Sequence, residues 1–432
     1  VDLPVTTASF TLLNFTNGQG GDGSSPTKSP VTILQHYPKN YFIYVASPSQ
    51  YGQAVFQGFG LPMGVAIAAG STLRRGNYAN VFQDLAQSPD DLTGTYGAYN
   101  WSLVVSGAGQ TVGLNYDLVV SGISSDNTNT VLTTNGASLR GIMDRRLSNL
   151  ALMTSYDCAT FDKNNICLSY QARYSSFDSM NEGAGVFTAA YRLNEQVRIG
   201  TFLDYRASEN GPSGFAFSGS LPTFGAFAAF GNVQGLQGKF VGAVDQGKVK
   251  LTRSTSLVDT EAGSGKASLT AYTFAGELGF GHMLSSNILA TPYVGLRYAN
   301  ATRDGYSETS VTGSVDYPVS YSDMSQRQTS ATAGVRLAGM VSERVGYQIA
   351  AGIEHDLAQS VDRYSGTSTI TGLTSFSIDT DGKSHRTRGV GSVGAFYQVD
   401  KTQRLTGNVS FRNQAFTSQN AVSAMAGYQV AF

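Results

Sequence analysis

The residues of this chain that could carry chemistry fall into a few patterns, and most of them fail on spacing. Two stretches, 18–23 and 389–394, have G-x-G-x-x-G spacing. A dinucleotide site needs those glycines between a strand and a helix, so that the backbone can approach a pyrophosphate. The first stretch lies in a polar loop leading to Pro26, and the second lies inside an alternating strand pattern, so neither fits. No G-x-S-x-G elbow occurs. Of the four histidines, His282, His355 and His385 belong to the carboxyl-terminal part and only His36 to the amino-terminal part, which leaves a Ser-His-Asp hydrolase without a frame. Cys158 and Cys167 bracket a polar stretch with no histidine near. Two thiols cannot complete a tetrahedral zinc site, and the pair points to a small disulfide-closed loop made in an oxidising compartment. No catalytic residue, cofactor site or metal site is expected.

What remains is a set of charges embedded in apolar, alternating segments. Arg173, Arg192, Arg198, Arg206, Arg297, Arg336, Arg404 and Arg412 share a phase with Asp204, Asp245, Glu277 and Glu354. The opposite phase is apolar: Leu168, Tyr170, Ala172 and Tyr174, or Val197, Ile199, Leu203 and Tyr205, or Val345, Tyr347, Ile349 and Ile353. Side chains in a strand alternate between faces, so each segment has one apolar and one charged face. A charge facing lipid at mid-depth costs about 2–4 kcal/mol, so in a membrane the charged face must point inward.

The elements that position these charges run from residue 167 onward. Twelve period-two segments follow one another: 167–176, 185–193, 197–207, 223–231, 236–253, 268–282, 288–306, 325–341, 344–360, 384–399, 403–415 and 420–432. Connections after even segments are tight, and those after odd segments are mostly longer and polar. That alternation is the mark of an antiparallel transmembrane barrel with turns on one side and loops on the other. Tyrosines recur near segment ends, where interfacial girdles sit. The last segment carries Tyr428, Val430 and Phe432 on one face and finishes on the aromatic residue.

Composition agrees. Only 14% of the 432 residues are charged, aromatics reach 11%, and there are 50 glycines. The net charge of −1 gives no electrostatic case for nucleic acid. The longest apolar run, 61–69, contains Pro62 and is too short for a membrane helix. The chain opens on Val1 without Met or a basic leader, which points to a segment removed upstream.

Before the barrel, residues 1–123 read as β-rich, with strands expected at 10–15, 41–46, 63–68, 101–105 and 114–120. Residues 17–30 form a Gly/Ser/Pro-rich connection. Tyr78, Val81, Phe82 and Leu85 have helical spacing within 77–87. Residues 124–134 are polar and read as a flexible boundary. Leu139, Ile142, Met143, Leu147 and Leu150 then mark one face of a helix over 136–155, capped by Asn135. Arg140, Asp144, Arg145 and Ser148 lie on the other face, with Arg146 beside them.

A helix, twelve long strands, tight turns and a terminal Phe together resemble the translocator domain of autotransporters (type V secretion). The stretch 155–174, SYDCATFDKNNICLSYQARY, resembles the start of the barrel in one subgroup. Residues 95–120, with TYGAYNWSLVVSG and GLNYDLVVSG, resemble the last strands of a β-helical passenger with its folding-assist segment. The resemblance implies a twelve-stranded outer-membrane barrel over 158–432. A linker and pore helix over 124–157 and a passenger end over 1–123 precede it. It implies the outer membrane as location, lipid, barrel-assembly machinery, periplasmic chaperones and the chain's own passenger as partners, and a monomeric barrel. Gly427, Val430 and Phe432 match the family's terminal assembly signal, while Met425 stands where a polar residue is usual. Some members cut themselves at an Asn within the helix. Asn149 lies in this one, but its surroundings do not match and self-cleavage is not implied. The competing architectures are a twelve-stranded channel or adhesin barrel with an amino-terminal plug, and a soluble β-rich enzyme or lectin.

Asp144 and the inward carboxylates are expected to hold the helix, with its arginines turned toward Glu277 or Glu354.

Overall fold

The computed structural model describes residues 12–34, 36–58, 60–109, 113–177, 180–219, 221–310, 315–380, 384–416 and 420–432. The chain divides into two compact units. The first comprises Val1–Val131 with Ser254–Glu261 and Thr369–Thr374, and the second holds the remainder.

In the first unit, short strands stack in parallel. Asn14–Asn17, Asn40–Ile43 and Gly64–Ile67 align as Asn14↔Asn40↔Gly64. Val31–Leu34 and Ala54–Gln57 form a second stack that continues onto Gly76–Leu85. Successive coils of one chain stacking in register describe a β-solenoid. Its core is aromatic: the Tyr41 ring meets Phe82 edge-on at 5.0 Å and Phe56 lies 5.8 Å from Phe82. The unit then turns antiparallel, with Gly76–Leu85, Leu114–Gly122, Tyr99–Ala108 and Thr93–Tyr96 pairing in that order. Trp101 packs flat on Gly94, where a Cβ would stand 2.5 Å from the indole.

The helix expected at 77–87 is instead a strand, Gly76–Leu85. Two bulges displace its apolar residues from period two. Asn80 and Asp84 adopt left-handed φ of 53° and 56°, and the register with Leu114–Gly122 slips at both places. The freed amides are met by side chains: Asn80 N–H donates to Asp117 and Asp84 N–H to Asn115. Tyr78, Val81, Phe82 and Leu85 thus share one buried face although their spacing is helical. The strand expected at 10–15 lies partly outside the described residues, and the observed one is Asn14–Asn17.

One helix, Ser125–Met153, links the solenoid to the barrel. It begins eleven residues before the expected start, so 125–134 is helical and not a flexible boundary. The stretch is polar but contains neither Pro nor Gly, so nothing in it breaks a helix. Ser124 supplies the cap, its hydroxyl accepting the Asn127 N–H at 3.2 Å. Asn135 is an interior, buried position.

Twelve antiparallel strands form the barrel: Ile166–Phe177, Met180–Asn194, Val197–Glu209, Thr223–Gly231, Gly235–Thr252, Gly263–Ser285, Ile288–Arg303, Met324–Met340, Val345–Val361, Thr387–Gln398, Gln403–Asn413 and Asn420–Ala431. The ring closes where the twelfth strand pairs with the first, from Cys167↔Ala431 to Phe177↔Ala421. Turns at 195–196, 232–234, 286–287, 341–344 and 399–402 lie on one side, and both strand ends lie on that side too. The connections after the third, fifth, seventh and ninth strands, on the opposite side, are longer.

Outward rows carry Tyr170 (62% exposed), Phe187, Ile199, Phe240, Phe274 and Ile353. An apolar belt this broad around every strand has no counterpart on soluble monomers, whose exposed patches stay small. A soluble sandwich is thereby excluded. Two loops also build a small four-stranded sheet from Tyr306–Ser307, Val319–Tyr321, Tyr364–Ser368 and Ser375–Ile378. Beneath it, Glu308 accepts hydrogen bonds from Arg253 at 2.9 Å and from the Tyr321 hydroxyl at 2.7 Å. Burial nevertheless pushes the Glu308 carboxyl above its ordinary pKa.

Candidate functional site

The site is the lumen and the helix within it. From Leu139 to Ala151 every helix residue but Ser148 is buried, on all sides of the axis. That includes Arg140, Asp144, Arg145, Arg146 and Asn149 as well as Leu139, Ile142, Leu147 and Leu150. A helix lying on a surface would leave its charged face wet. The partners show what surrounds it, because they come from the first, second, third, fifth and eighth strands. A helix reaching all of these is inside the ring.

Arg145 donates to Glu209 and to the Asn210 carbonyl, the latter at 2.6 Å. Arg146 bridges Glu209 at 2.8 Å and Asp245 at 3.2 Å. Both guanidinium groups lie over the Phe217 ring, at 4.9 and 5.5 Å. Asp144 accepts from Gln326, and Arg140 donates to the Thr380 carbonyl and covers Phe416. The Asn149 amide donates to both Glu182 oxygens at 3.0 Å and accepts from Arg173 at 3.3 Å.

Behind the helix the wall is a charge network. Arg173 forks onto Asp204 through Nε and Nη2, both at 3.0 Å, and reaches Glu182 at 2.5 Å. Asp204 also accepts from the Tyr156 hydroxyl at 2.7 Å. Arg206 pairs with Asp245 at 2.6 Å. On the opposite arc, Glu354 receives Arg297 at 2.8 Å together with Arg388 and Arg412. Asp356 takes Arg388, Gln328 and Ser330. Toward the turn side, Arg336 pairs with the half-exposed Glu277 at 2.9 Å. Arg198 and Lys239 converge on Asp157, just past the helix end, at 2.6 and 3.8 Å. Burial alone would raise the Asp157 carboxyl, but these two cations hold it below the usual range.

The helix arginines do not turn toward Glu277 or Glu354 as expected. Glu354 is already saturated by three arginines and Glu277 is engaged by Arg336, whereas Glu209 and Asp245 have capacity left. Of the charges read from the strand phase, Arg173, Arg206, Arg297, Arg412, Asp204, Asp245 and Glu354 join these networks, and Arg198, Arg336 and Glu277 pair toward the turn side; Arg192 and Arg404 meet Asn165 and the Phe396 ring. Glu182, Glu209, Asp356, Arg388 and Lys239 were not anticipated. Glu182 and Glu209 fall just outside the expected segments of the second and third strands. Asp356 shares the phase of Glu354, Arg388 lies opposite Glu354 in the ladder, and both were within reach of the period-two rule.

Cys158 and Cys167 are joined, with Cα atoms 5.7 Å apart. Gly427 faces inward where a Cβ would stand 2.4 Å from Gln171 Cγ, so only Gly fits. Val430 pairs with Leu168 on the outward row, and Phe432 is 46% exposed on the same row.

Breaking the wall network should destabilise the barrel in a set order. Arg173→Met strands Glu182 and Asp204 together and should cost about 5 kcal/mol, the upper end for a broken buried pair. Arg146→Met should cost nearer 3 kcal/mol, because Arg145 and Arg206 still serve Glu209 and Asp245. The temperature at which the folded band of the unboiled protein is lost on a gel checks both. Equal shifts would overturn the ranking.

A closed barrel with an apolar belt outside, a charged lumen and a helix filling it defines an outer-membrane translocator. Residues 168–410 match the autotransporter beta-domain model, and the chain belongs to that family. It is the outer-membrane translocator of an autotransporter, with its passenger at the cell surface, and the barrel is a secretion domain, not an enzyme.

Solved structures of similar fold include the NalP translocator domain from Neisseria meningitidis, at 16% identity and TM-score 0.49, covering 70% of this chain and 99% of that one. The AIDA-I transport unit from Escherichia coli gives 13% identity and TM-score 0.43 over 66% and 97%. The beta domain of the Bordetella autotransporter BrkA gives 13% and 0.41 over 63% and 100%. No curated protein matches the sequence.

Proposed function

We infer that residues 1–123 are the end of the exported passenger and an autochaperone-like segment, and that the helix is the last exported stretch left in the pore. The passenger crosses extended and folds outside, drawing on its own folding free energy, while the barrel supplies a wall with every backbone group paired. Gly427, Val430 and Phe432 present the assembly signal to the barrel-assembly machinery, after periplasmic chaperones have carried the chain as a monomer. Support comes chiefly from one observation: a continuous helix leaves the solenoid and is buried on every side between strands of the barrel.

Leu147 and Gln328 line one lumen crevice and give the test. Cysteines at both positions, bridged by a short bismaleimide in intact cells, should crosslink once the passenger is outside. Leu147→Cys should resist bulky maleimides from either side. Free labelling of position 147 with no crosslink would end the plugged-translocator reading.

A further inference from the structure

The chain continues one residue past the last ladder pair of the twelfth strand with the first, Cys167↔Ala431. That residue, Phe432, still has its backbone fully engaged. Its N–H donates to the Ile166 carbonyl at 2.9 Å, and its own carbonyl accepts the N–H groups of Asn164 at 3.0 Å and Ile166 at 3.3 Å. Two donors converge on one oxygen because Asn165 between them is left-handed, with φ of 58°. Asn tolerates that region better than other residues with a Cβ.

Asn165 is in turn held from the second strand. Arg192 N–H donates to the Asn165 carbonyl at 2.9 Å and Arg192 Nε to the Asn165 side-chain oxygen at 2.8 Å. The Arg192 guanidinium covers the Phe161 ring at 5.2 Å. Deeper in, the Thr160 hydroxyl meets Gln429 at 3.3 Å, and Gln429 donates to the Asp157 carbonyl at 3.5 Å. The loop between Cys158 and Cys167 therefore touches the first, second and twelfth strands together, and the disulfide fixes both of its ends.

We propose that the Cys158–Cys167 loop is a binding site for the end of the twelfth strand, a clasp that seals the barrel seam. Every other neighbouring pair of strands is joined by a covalent turn or loop, and the first and twelfth are not. The clasp stands where the missing turn would be. It grips backbone, so it is indifferent to the side chain at 432. It depends on the disulfide, because a polar loop of this length samples more conformations and loses its fixed shape once the bridge that closes it is gone.

Hydrogen exchange read by mass spectrometry on the full chain in detergent tests it. The samples are the oxidised protein, the protein reduced with a phosphine after folding, and Cys158→Ser/Cys167→Ser. Exchange over 164–170 and 425–432 should quicken roughly tenfold or more in the last two, with the fifth and sixth strands unchanged. Asn165→Ala, its disulfide verified by resistance to alkylation, should show the same pattern more weakly, and Phe432→Ala should not show it. Both cysteines are buried, so if the phosphine fails to reach them the serine variant decides; if that variant does not fold, Asn165→Ala decides. Unchanged exchange at 425–432, or acceleration spread evenly round the barrel, would overturn the clasp.

Discussion

Deleting residues 132–153 is expected to turn a nearly silent barrel into a conducting one. The helix with its side chains occupies a cylinder roughly 10–12 Å across, and its removal leaves an aqueous bore of about that width. Single-channel conductance in a planar bilayer should rise at least about tenfold over the intact chain. The ring should still close, because the ladder between strands one and twelve does not use the helix. Retention of heat-modifiable mobility in the deletion variant verifies closure, so that a low conductance cannot be blamed on misfolding. A folded deletion variant that conducts no better than the intact chain would mean that the helix does not fill the pore.

Replacing Phe432 by Ser should lower the folded barrel in outer membranes by roughly tenfold or more, the second large effect. The ring is exposed on the outward row with Tyr428 and Val430, at the membrane edge of the barrel, where interfacial aromatics are favoured. Its backbone bonds to Asn164 and Ile166 do not involve the ring, so Ser leaves them in place. The substitution thus isolates the aromatic as a recognition element from the aromatic as a structural one. Tyr at 432 should restore insertion, and the passenger expressed alone should fold as before. Wild-type amounts of the Ser variant in purified outer membranes would remove Phe432 from the assembly signal.

All twelve strands were legible in the sequence because lipid and lumen make opposite demands on alternate residues, and a slip of one residue would place Arg173 or Arg297 in lipid. Phase gives a direction, inward or outward, but not an angle around the ring. That is why Arg145 and Arg146 were matched to Glu277 and Glu354 when their partners are Glu209 and Asp245. The start of the helix was hidden for another reason. Residues 125–134 carry no apolar stripe, and the feature that begins the helix is a single hydroxyl at Ser124. The bulged strand misled because left-handed residues at Asn80 and Asp84 convert a period of two into steps of three and four. The loop sheet around Tyr306, Tyr321, Tyr364 and Phe376 is built from strands of two to five residues, too short to show any period.

At the depth of the helix, above the turn-side group of Arg198, Lys239 and Asp157, the two arcs of the lumen differ in sign once the helix is taken away. One carries Arg173 and Arg206 against Glu182, Asp204, Glu209 and Asp245, and the other carries Arg297, Arg388 and Arg412 against Glu354 and Asp356. Over that depth an emptied barrel would hold a transverse electric field, directed across the bore. An unfolded chain drawn through would feel its lysines and arginines pulled to one side and its acids to the other, segment by segment. Such a field aligns a passing polymer without binding any one sequence, and it is extinguished when a helix bearing Arg145 and Arg146 on one flank and Asp144 on the other comes to rest between the arcs.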